Sequence, residues 1–398
     1  MIIVMTNRAL PAKPVSSPVD IDVSLLGNQF DTTDDGSGGL HTGLLSKDSE
    51  VIHFYPRGME SVLFTNISQE DKDKPWVFFI HGFHQDPEEN IKKSKNLSDH
   101  HNVNVIAFSW PSRPLDETLN GAEIAETIVK NLAKTALGVT SIWNLAADAG
   151  SRYLKDTLNN YKPALQNAKA SKNHLLEALQ LVKEKMDLTD LPVLLVHSMG
   201  NFLLKNLLIT SSDLPMQFRN IILHQADVNA DEHHWVSKLK NNLSDSAKLY
   251  ITINFHDFIL WASSQRKTFL QLKKTERLGQ NHRHYIIDNI HYLDFTYGES
   301  INNDHEFFKF SKDRTNERVF ECLDRIFSAQ PDLLPAKEKQ SNAGFTKMPT
   351  RVSLYCLENI LDTAHGETDE NGKLKYIKSL DQFIDPLIPN DYDEEVDE

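Results

Sequence analysis

The chain has 398 residues, of which 40% are hydrophobic and 25% charged, a composition typical of a folded protein with a sizeable core. The formal net charge of −14 argues against a general nucleic-acid binder, because such proteins present a basic face to the phosphates. No stretch approaches the ~18 apolar residues that cross a bilayer, so we expect no transmembrane segment.

The N-terminal segment predicts a strand followed by a long loop. Its opening residues lack the basic region and the cleavage site of a secretory signal, so we expect no signal peptide. Ile2 to Met5 forms a short apolar run, whereas Ala9 to Gly43 is rich in Pro, Ser, Asp and Gly and predicts an irregular loop. Val51 to Tyr55 and Ser61 to Thr65 are predicted strands that pair as a hairpin around residues 56–58.

A series of continuous apolar runs then indicates strands that are buried on both faces. A helical stretch, Phe202 to Ile209, follows one of these runs. Strands separated by helical segments predict an α/β fold, with a mostly parallel central sheet and helices on both faces. The predicted strands are Trp76 to Ile80, Val103 to Phe108, Val193 to Val196, Asn220 to Leu223, Leu249 to Phe255 and Ile290 to Phe295.

The interval from Pro114 to Leu191 is too long for a simple crossover and predicts two helical stretches. Tyr161 to Met186 is the expected sheet-covering helix, and Leu115 to Tyr153 is an insertion. Such an insertion can form a cap over a site on the sheet edge. It can equally pack on the side of the domain, and the sequence leaves both arrangements open.

The pattern weakens near the C-terminus. We expect one α/β domain over residues 1–328 and an extension over 329–398, in which Arg351 to Asp362 forms a docked helix and Asp391 to Glu398 a disordered acidic tail. Cys322 and Cys356 are too few for a disulfide framework and fit a reducing cytosol. The expected location is therefore cytoplasmic, and export without an N-terminal signal stays open.

Ser198 is the predicted nucleophile. It lies in Leu-Leu-Val-His-Ser-Met-Gly-Asn-Phe-Leu-Leu, an apolar strand, a tight turn and a helix, which is the setting of a nucleophile elbow. Gly200 allows the helix to approach the strand closely. Val196 occupies the position of the first glycine in the usual G-x-S-x-G, so the motif is incomplete. The alternative role of Ser198 is a simple helix cap.

His81-Gly82-Phe83 directly follows a predicted buried strand, where α/β-hydrolases supply one oxyanion-hole amide. The two predicted donors are the backbone amides of Phe83 and Met199. His81 itself is expected to be structural. Trp110 follows a neighbouring strand and is expected either to line the pocket or to be a core residue of the turn.

The acid and the base should follow the serine in the order Ser, Asp, His. Asp227 and Asp257 both lie just past strand ends, and Asp257 is favoured because the acid usually follows the later strand. Asp227 would then shape the pocket rim or be structural. His305, beyond the last strand, is the predicted base, since His291 lies at the wrong end of that strand.

The other histidines do not predict a metal site. The pairs lack an i, i+4 partner with a nearby acid, and there is no His-Glu-x-x-His motif. We therefore interpret them as dispersed surface residues and expect neither metal nor cofactor. They are His100 and His101, His233 and His234, and His282 and His284.

These motifs together resemble a family of bacterial α/β-hydrolases known as a domain of unknown function. The resemblance spans about Met1 to Lys309, except at the loop and the insertion. The segments that carry it are Thr6-Asn7-Arg8, His81-Gly82-Phe83, Phe108-Ser109-Trp110-Pro111-Ser112, His197-Ser198-Met199-Gly200-Asn201, Ala226-Asp227-Val228-Asn229, Arg277-Leu278-Gly279 and Asp304-His305.

The resemblance implies a serine hydrolase with the triad Ser198, Asp257 and His305. We expect it to cleave a carboxylic ester or a related acyl bond of a small molecule through an acyl-enzyme. A lipase-like enzyme with the insertion as its lid is one alternative. A catalytically inactive scaffold that binds a protein partner is the other.

Overall fold

A single mixed sheet forms the centre of the computed structural model. The residues that the structure describes are 1–31, 39–113, 142–186, 188, 190–211, 213–257, 259–261, 263, 264, 276–280, 290–295, 301, 304–309, 317–329, 355 and 356. Within them, the sheet has eleven strands, which are β1 Ile2–Thr6, β2 Val19–Asp22, β3 His41–Leu45, β4 Val51–Tyr55, β5 Trp76–Ile80, β6 Asn104–Ser109, β7 Val193–His197, β8 Asn220–His224, β9 Leu249–Ile253, β10 His291–Asp294 and β11 Tyr355–Cys356. Their order in the sheet is β11-β10-β9-β8-β7-β5-β6-β1-β3-β4-β2. The strands from β10 to β1 in this order pair in parallel, as the apolar runs predict.

The parallel strands are buried on both faces. Along β5, Trp76, Phe78 and Ile80 belong to one hydrophobic cluster, whereas Val77 and Phe79 belong to the other. This alternation follows from the two-residue period of a strand. Because both faces are apolar, the strand reads as a continuous hydrophobic run, which confirms the predicted α/β class.

Helices cover the two faces of the sheet. They are α1 Glu60–Thr65, α2 Gln69–Asp73, α3 Pro87–His101, α4 Ile142–Lys185, α5 Gly200–Thr210 and α6 Glu317–Phe327, with 3₁₀ segments at Val23–Leu25 and Ala230–Asn242. Buried residues recur at helical spacing along α4, from Tyr161 through Ala164, Ala168 and Leu175 to Leu179. This stripe and α5 pack on one face, while α3 and α6 contribute to the core of the other.

The predicted hairpin of Val51 to Tyr55 with Ser61 to Thr65 is wrong. β4 pairs with β3 and β2, and Glu60–Thr65 forms α1. Leu63 and Phe64 are buried as neighbours, not in strand alternation. A run of three apolar residues, Val62 to Phe64, fits both a strand and a helix turn, so its sequence could not decide between them.

The Ala9 to Gly43 segment is more ordered than predicted. It contains β2, and β3 begins within it at His41. At the opposite edge of the sheet, Tyr355 and Cys356 pair with β10 in a short antiparallel strand, where a docked helix was expected.

The prediction of two separate helical stretches before Leu191 is partly wrong. Residues 142–153, assigned to the insertion, continue without a break into Tyr161 in the single helix α4. Residues 114–141, and with them the question of a cap, lie outside the described residues, as does most of the 329–398 extension. In the described part of the chain, none of the helices combines the length and the apolar character needed to cross a membrane.

Candidate active site

Ser198 occupies a strained turn between β7 and α5. It follows the last residue of β7 and has a φ of 51°, in the left-handed region. A residue other than glycine in this region costs on the order of 1–3 kcal/mol, so the surrounding structure must hold it there. The sharp strand–turn–helix geometry predicted around Ser198 is present.

The backbone of Ser198 is held from several sides. Its amide donates to the carbonyl oxygen of His224 at 3.0 Å. Its own carbonyl oxygen accepts from the backbone amides of Asn201, at 3.0 Å, and Asp227, at 3.2 Å, and from Nδ2 of Asn201 at 3.1 Å. These contacts stabilise the left-handed conformation.

Two glycines allow the close approach of the segments around Ser198. A Cβ atom on Gly200 would lie 2.8 Å from the carbonyl oxygen of His81 and 2.9 Å from that of Ile80. A Cβ atom on Gly82 would lie 2.6 Å from Cβ and 3.2 Å from Oγ of Ser198. The turn after β5 is therefore packed directly against the side chain of Ser198.

The His81 ring holds this turn together. Its Nδ1–H donates to the carbonyl oxygen of Gly82 at 2.9 Å, and its Nε2 accepts from the amide of Trp110 at 3.0 Å. The ring stacks on that of Trp110, with centroids 5.4 Å apart. Burial and the nearby charge of Arg8 lower the pKa of His81 well below its ordinary value, so the ring stays neutral and its Nε2 can accept.

The turn leaves backbone donors beside Ser198. Among the described residues, the amide of His84 donates to the carbonyl oxygen of Ser112, but no acceptor is present for the amides of Phe83 and Met199. The half-buried ring of Phe83 packs against Tyr161 of α4, with centroids 5.2 Å apart. Two amides of this kind are suited to bind an oxyanion.

The buried Asp257 and the partly buried His305 form a hydrogen-bonded pair. Nδ1–H of His305 donates to Oδ2 of Asp257 at 2.5 Å, and Oδ1 of Asp257 accepts from the amide of Leu260 at 3.0 Å. The ring centroids of His305 and His197 lie 4.7 Å apart. The pair is therefore adjacent to the turn that carries Ser198.

The charge of Asp257 makes His305 more basic. Burial alone would lower the pKa of His305, but the Asp257 carboxylate and its hydrogen bond outweigh that effect and raise the pKa above the ordinary value. Burial also raises the pKa of Asp257, and the charge and hydrogen bond of His305 oppose this shift. Because Nδ1 of His305 faces Asp257, Nε2 is the nitrogen available to exchange a proton with another group.

Comparison with protein families gives one match. Residues 57–283, more than half of the chain, match the family model described as an alpha/beta hydrolase of unknown function (DUF900). The chain belongs to this family. The predicted family is thereby confirmed, and the matched segment includes Ser198 and Asp257. Comparison of the chain with curated proteins and with solved structures gives no match.

Asp227, the other candidate acid of the hydrolase, has different partners. Its Oδ2 accepts from the hydroxyl of Tyr161 at 2.5 Å, and its Oδ1 accepts from Oγ of Ser263 at 2.6 Å. Nε of Arg277 lies 3.1 Å from the same Oδ1. The carboxylate is buried and links the loop after β8 to helix α4.

The loop that carries His305 is fixed by residues that sequence analysis did not single out. Lys93 of α3 and Lys309 form ion pairs with Glu306. Burial opposes ionisation, but these two charges hold the pKa of Glu306 well below its ordinary value. Nδ2 of Asn254 donates to the carbonyl oxygen of Asp304 at 3.0 Å. Acidic and basic residues are common on surfaces, so the sequence offered no signal for this cluster.

Arg8 is fully buried beneath the turn after β5. Its guanidinium donates to the carbonyl oxygens of Gln85, at 2.8 Å, and Trp110, at 2.6 Å. It also donates to Oδ1 of Asn28 at 2.7 Å. Burial lowers the pKa of Arg8 to about 9, although the charge of Asp86 partly opposes the shift. Arg8 thus joins the N-terminal loop to the turn beside Ser198, a role for which the Thr-Asn-Arg motif was the only sequence signal.

The prediction that the paired histidines lie on the surface is wrong for two of them. The His101 ring is buried and stacks on Phe320, with centroids 4.2 Å apart. His233 is buried, and its Nε2 lies 3.0 Å from the Tyr292 hydroxyl. His282 and His284 lie outside the described residues. Within the described ranges, no group of three or more His, Cys, Asp or Glu side chains could hold a metal ion.

Proposed function

We propose that this α/β-hydrolase cleaves a carboxylic ester or a related acyl bond, with Ser198 as nucleophile, His305 as base and Asp257 as acid. The observation that carries the proposal is the strained Ser198 turn next to the His305–Asp257 pair. A serine held in an unfavourable conformation, near a partly buried histidine that is oriented by a carboxylate, is expected where the hydroxyl must attack a substrate.

In the proposed reaction, Nε2 of His305 accepts the proton of the Ser198 hydroxyl as Oγ attacks the carbonyl carbon. Asp257 holds the imidazole by its Nδ1 and stabilises the imidazolium that forms. The amides of Phe83 and Met199 donate to the negatively charged carbonyl oxygen of the tetrahedral intermediate. His305 then protonates the leaving group, which departs and leaves an acyl-enzyme. A water molecule, deprotonated by His305, then attacks the acyl carbon. The bond from that carbon to Oγ of Ser198 breaks, His305 returns the proton to Oγ, and the acid is released. No step requires a metal or an organic cofactor.

Two matched variants test the role of Ser198. Ser198→Ala should abolish covalent labelling by a fluorophosphonate probe and hydrolysis of short p-nitrophenyl esters. The control is Ser237→Ala, which changes an exposed serine whose Oγ donates to the carbonyl oxygen of His234. The Ser237→Ala variant should be labelled at the wild-type rate. Undiminished labelling of Ser198→Ala would contradict the assignment, and an unlabelled wild-type protein would favour the inactive scaffold.

A panel of esters that differ in acyl length tests the substrate class. The proposed small-ester hydrolase should lose kcat/KM as the acyl chain lengthens. A steady rise in kcat/KM with acyl length would favour a lipid ester instead. Deletion of residues 115–141, the part of the insertion that precedes α4, would then show whether that preference depends on this part of the insertion.

A further inference from the structure

Gln225 is a buried polar residue at the end of β8 that takes no direct part in the proposed reaction. It directly follows β8, is fully buried and has a φ of 44°. Its backbone amide donates to Oγ1 of Thr252 on β9 at 3.0 Å. This left-handed conformation costs on the order of 1–3 kcal/mol in a residue other than glycine. The strained backbone places the side chain between the loops that follow β8 and β9.

The chemistry of its neighbours determines how the Gln225 amide is oriented. One terminal atom of the side chain lies 2.7 Å from Oδ2 of Asp257 and 3.1 Å from the carbonyl oxygen of Gly279. Both of these neighbours are acceptors, and a carbonyl oxygen at these distances would repel them. The atom is therefore the amide nitrogen, whose two hydrogens satisfy the two acceptors.

We propose that Gln225 is a positioning residue that donates a hydrogen bond to Asp257 and so fixes the carboxylate that orients His305. The inference rests on the proposed function, in which Asp257 is the catalytic acid. Oδ2 of Asp257 then accepts from both Gln225 and His305, and Oδ1 accepts from the amide of Leu260. The terminal torsion of an aspartate is broad. Donors from three separate segments of the chain restrict it to one orientation.

The same hydrogen bond favours the charged form of Asp257. Burial raises the pKa of this carboxyl group, whereas donors to the carboxylate oppose that rise. The positive end of the Gln225 N–H dipole also reduces the negative potential that Asp257 exerts at His305. Loss of the donor should therefore raise the pKa of His305.

The groups that face His305 must stay the same across the variants. They come from the ends of β7, β8 and β9, from the loop of His305 itself and from α3. They are Asp257, His197, His224, Asp227, Glu306, Lys309 and Lys93. Substitution of Gln225 removes none of these groups, so a change in the pH profile can be attributed to the lost hydrogen bond at position 225.

A purely structural role for Gln225 is the alternative. Its amide also donates to Gly279, whose carbonyl oxygen accepts from the amide of Asn254 at 2.9 Å. Under that alternative, substitution would lower stability and leave the pH dependence unchanged. A suitable control is Asn242, a buried amide that is not among the site residues. Its Nδ2 donates to the carbonyl oxygens of Leu214 and Met216 at 2.9 and 3.0 Å.

The experiment compares Gln225→Met and the control Asn242→Asp with the wild-type protein. The rate of fluorophosphonate labelling is measured against pH, and thermal unfolding is followed in parallel. Gln225→Met should be labelled about tenfold more slowly or worse, since a hydrogen bond to a charged group contributes ~1.5–3 kcal/mol. The acid-side midpoint should be higher in Gln225→Met than in the wild type. Asn242→Asp should unfold at lower temperature with the wild-type midpoint.

A second measurement does not depend on activity. The His305 Nδ1 proton, identified by its loss in His305→Gln, should shift in the proton NMR spectrum of Gln225→Met and keep its wild-type position in Asn242→Asp. Unchanged midpoints and an unshifted proton would overturn the proposal. If Ser198→Ala still labels, the proposed function fails, and the proton shift alone decides whether Gln225 acts on the Asp257–His305 pair.

Discussion

His197, the residue before Ser198, donates from Nε2 to the carbonyl oxygen of His305 at 3.0 Å. Burial and the charge of His305 lower the pKa of His197 well below the ordinary value. The His197 ring is therefore neutral, with its one N–H at Nε2 and an unprotonated Nδ1. The nucleophile turn and the loop of the candidate base are therefore joined by a bond that does not involve the Asp257 side chain. Their relative position is set by the fold as well as by the triad contacts.

The raised pKa of His305 predicts a shifted acid limb in the pH profile. The base must be neutral to accept the Ser198 proton, so activity is lost as pH falls through the His305 pKa. Because Asp257 raises that pKa, kcat/KM for a short ester should begin to fall at a higher pH than the ~6.5 of an ordinary histidine. A stopped assay across pH 5–9 in constant ionic strength measures it. An acid limb centred below the ordinary value would contradict the assigned pairing.

The two candidate acids predict opposite outcomes for aspartate-to-asparagine substitution. Asp257→Asn should lower kcat by ~10⁴, since an asparagine no longer stabilises the imidazolium or holds the correct tautomer of His305. Asp227→Asn should retain most of the turnover but lower the free energy of unfolding by ~3 kcal/mol, because Arg277 would lose its buried partner. Esterase kinetics and urea unfolding of both variants measure the contrast. A larger loss of turnover in Asp227→Asn would exchange the two roles.

Local sequence patterns were sufficient to predict some elements of the structure but not others. The parallel strands were predictable because burial on both faces leaves an uninterrupted apolar run, as in Trp76–Ile80. Strand β2 was not, since an exposed edge strand with two aspartates in four residues resembles a loop. The sharp turn at Ser198 was predictable because its motif is local. The contacts of Gln225 and Glu306 were not, because their partners, Asp257 and Lys93, are distant in sequence.

The ion pair between Lys93 and Glu306 should matter for the placement of His305. Lys93→Met leaves Glu306 with Lys309 as its remaining cation, and should lower both the free energy of unfolding, by ~3 kcal/mol, and kcat. The double variant Lys93→Met/Glu306→Gln removes both charges and should recover part of the stability. A urea-unfolding double-mutant cycle tests this coupling, and strict additivity of the two substitutions would refute it.

The depressed pKa of Glu306 gives this ion pair a defined pH dependence. A group whose folded pKa lies below its unfolded value contributes stability that is present above the unfolded pKa of ~4.3 and lost as pH falls through the folded pKa. Glu306→Gln should therefore be less stable than wild type near neutral pH, and the difference should shrink in acid. Thermal melts of both proteins between pH 3 and pH 7 measure the difference. A stability difference between the two proteins that stays constant or widens in acid would contradict the lowered pKa of Glu306.

The contact between Gly82 and Ser198 predicts a loss of activity through crowding alone. In Gly82→Ala the new Cβ would lie 2.6 Å from the Cβ of Ser198, so either the nucleophile or the turn that carries Phe83 must move. Displacement of one oxyanion donor typically costs ~10²–10³ in kcat. Gly27→Ala, whose Cβ would lie 3.3 Å from Ala9, is the matched control and should keep near-wild-type kcat. Measurements of kcat and of the fluorophosphonate labelling rate test this prediction, and both rates should fall in Gly82→Ala. Circular dichroism should show that Gly82→Ala remains folded, which distinguishes crowding at Ser198 from general destabilisation. Equal rates in the two glycine variants would show that the turn after β5 does not constrain the nucleophile.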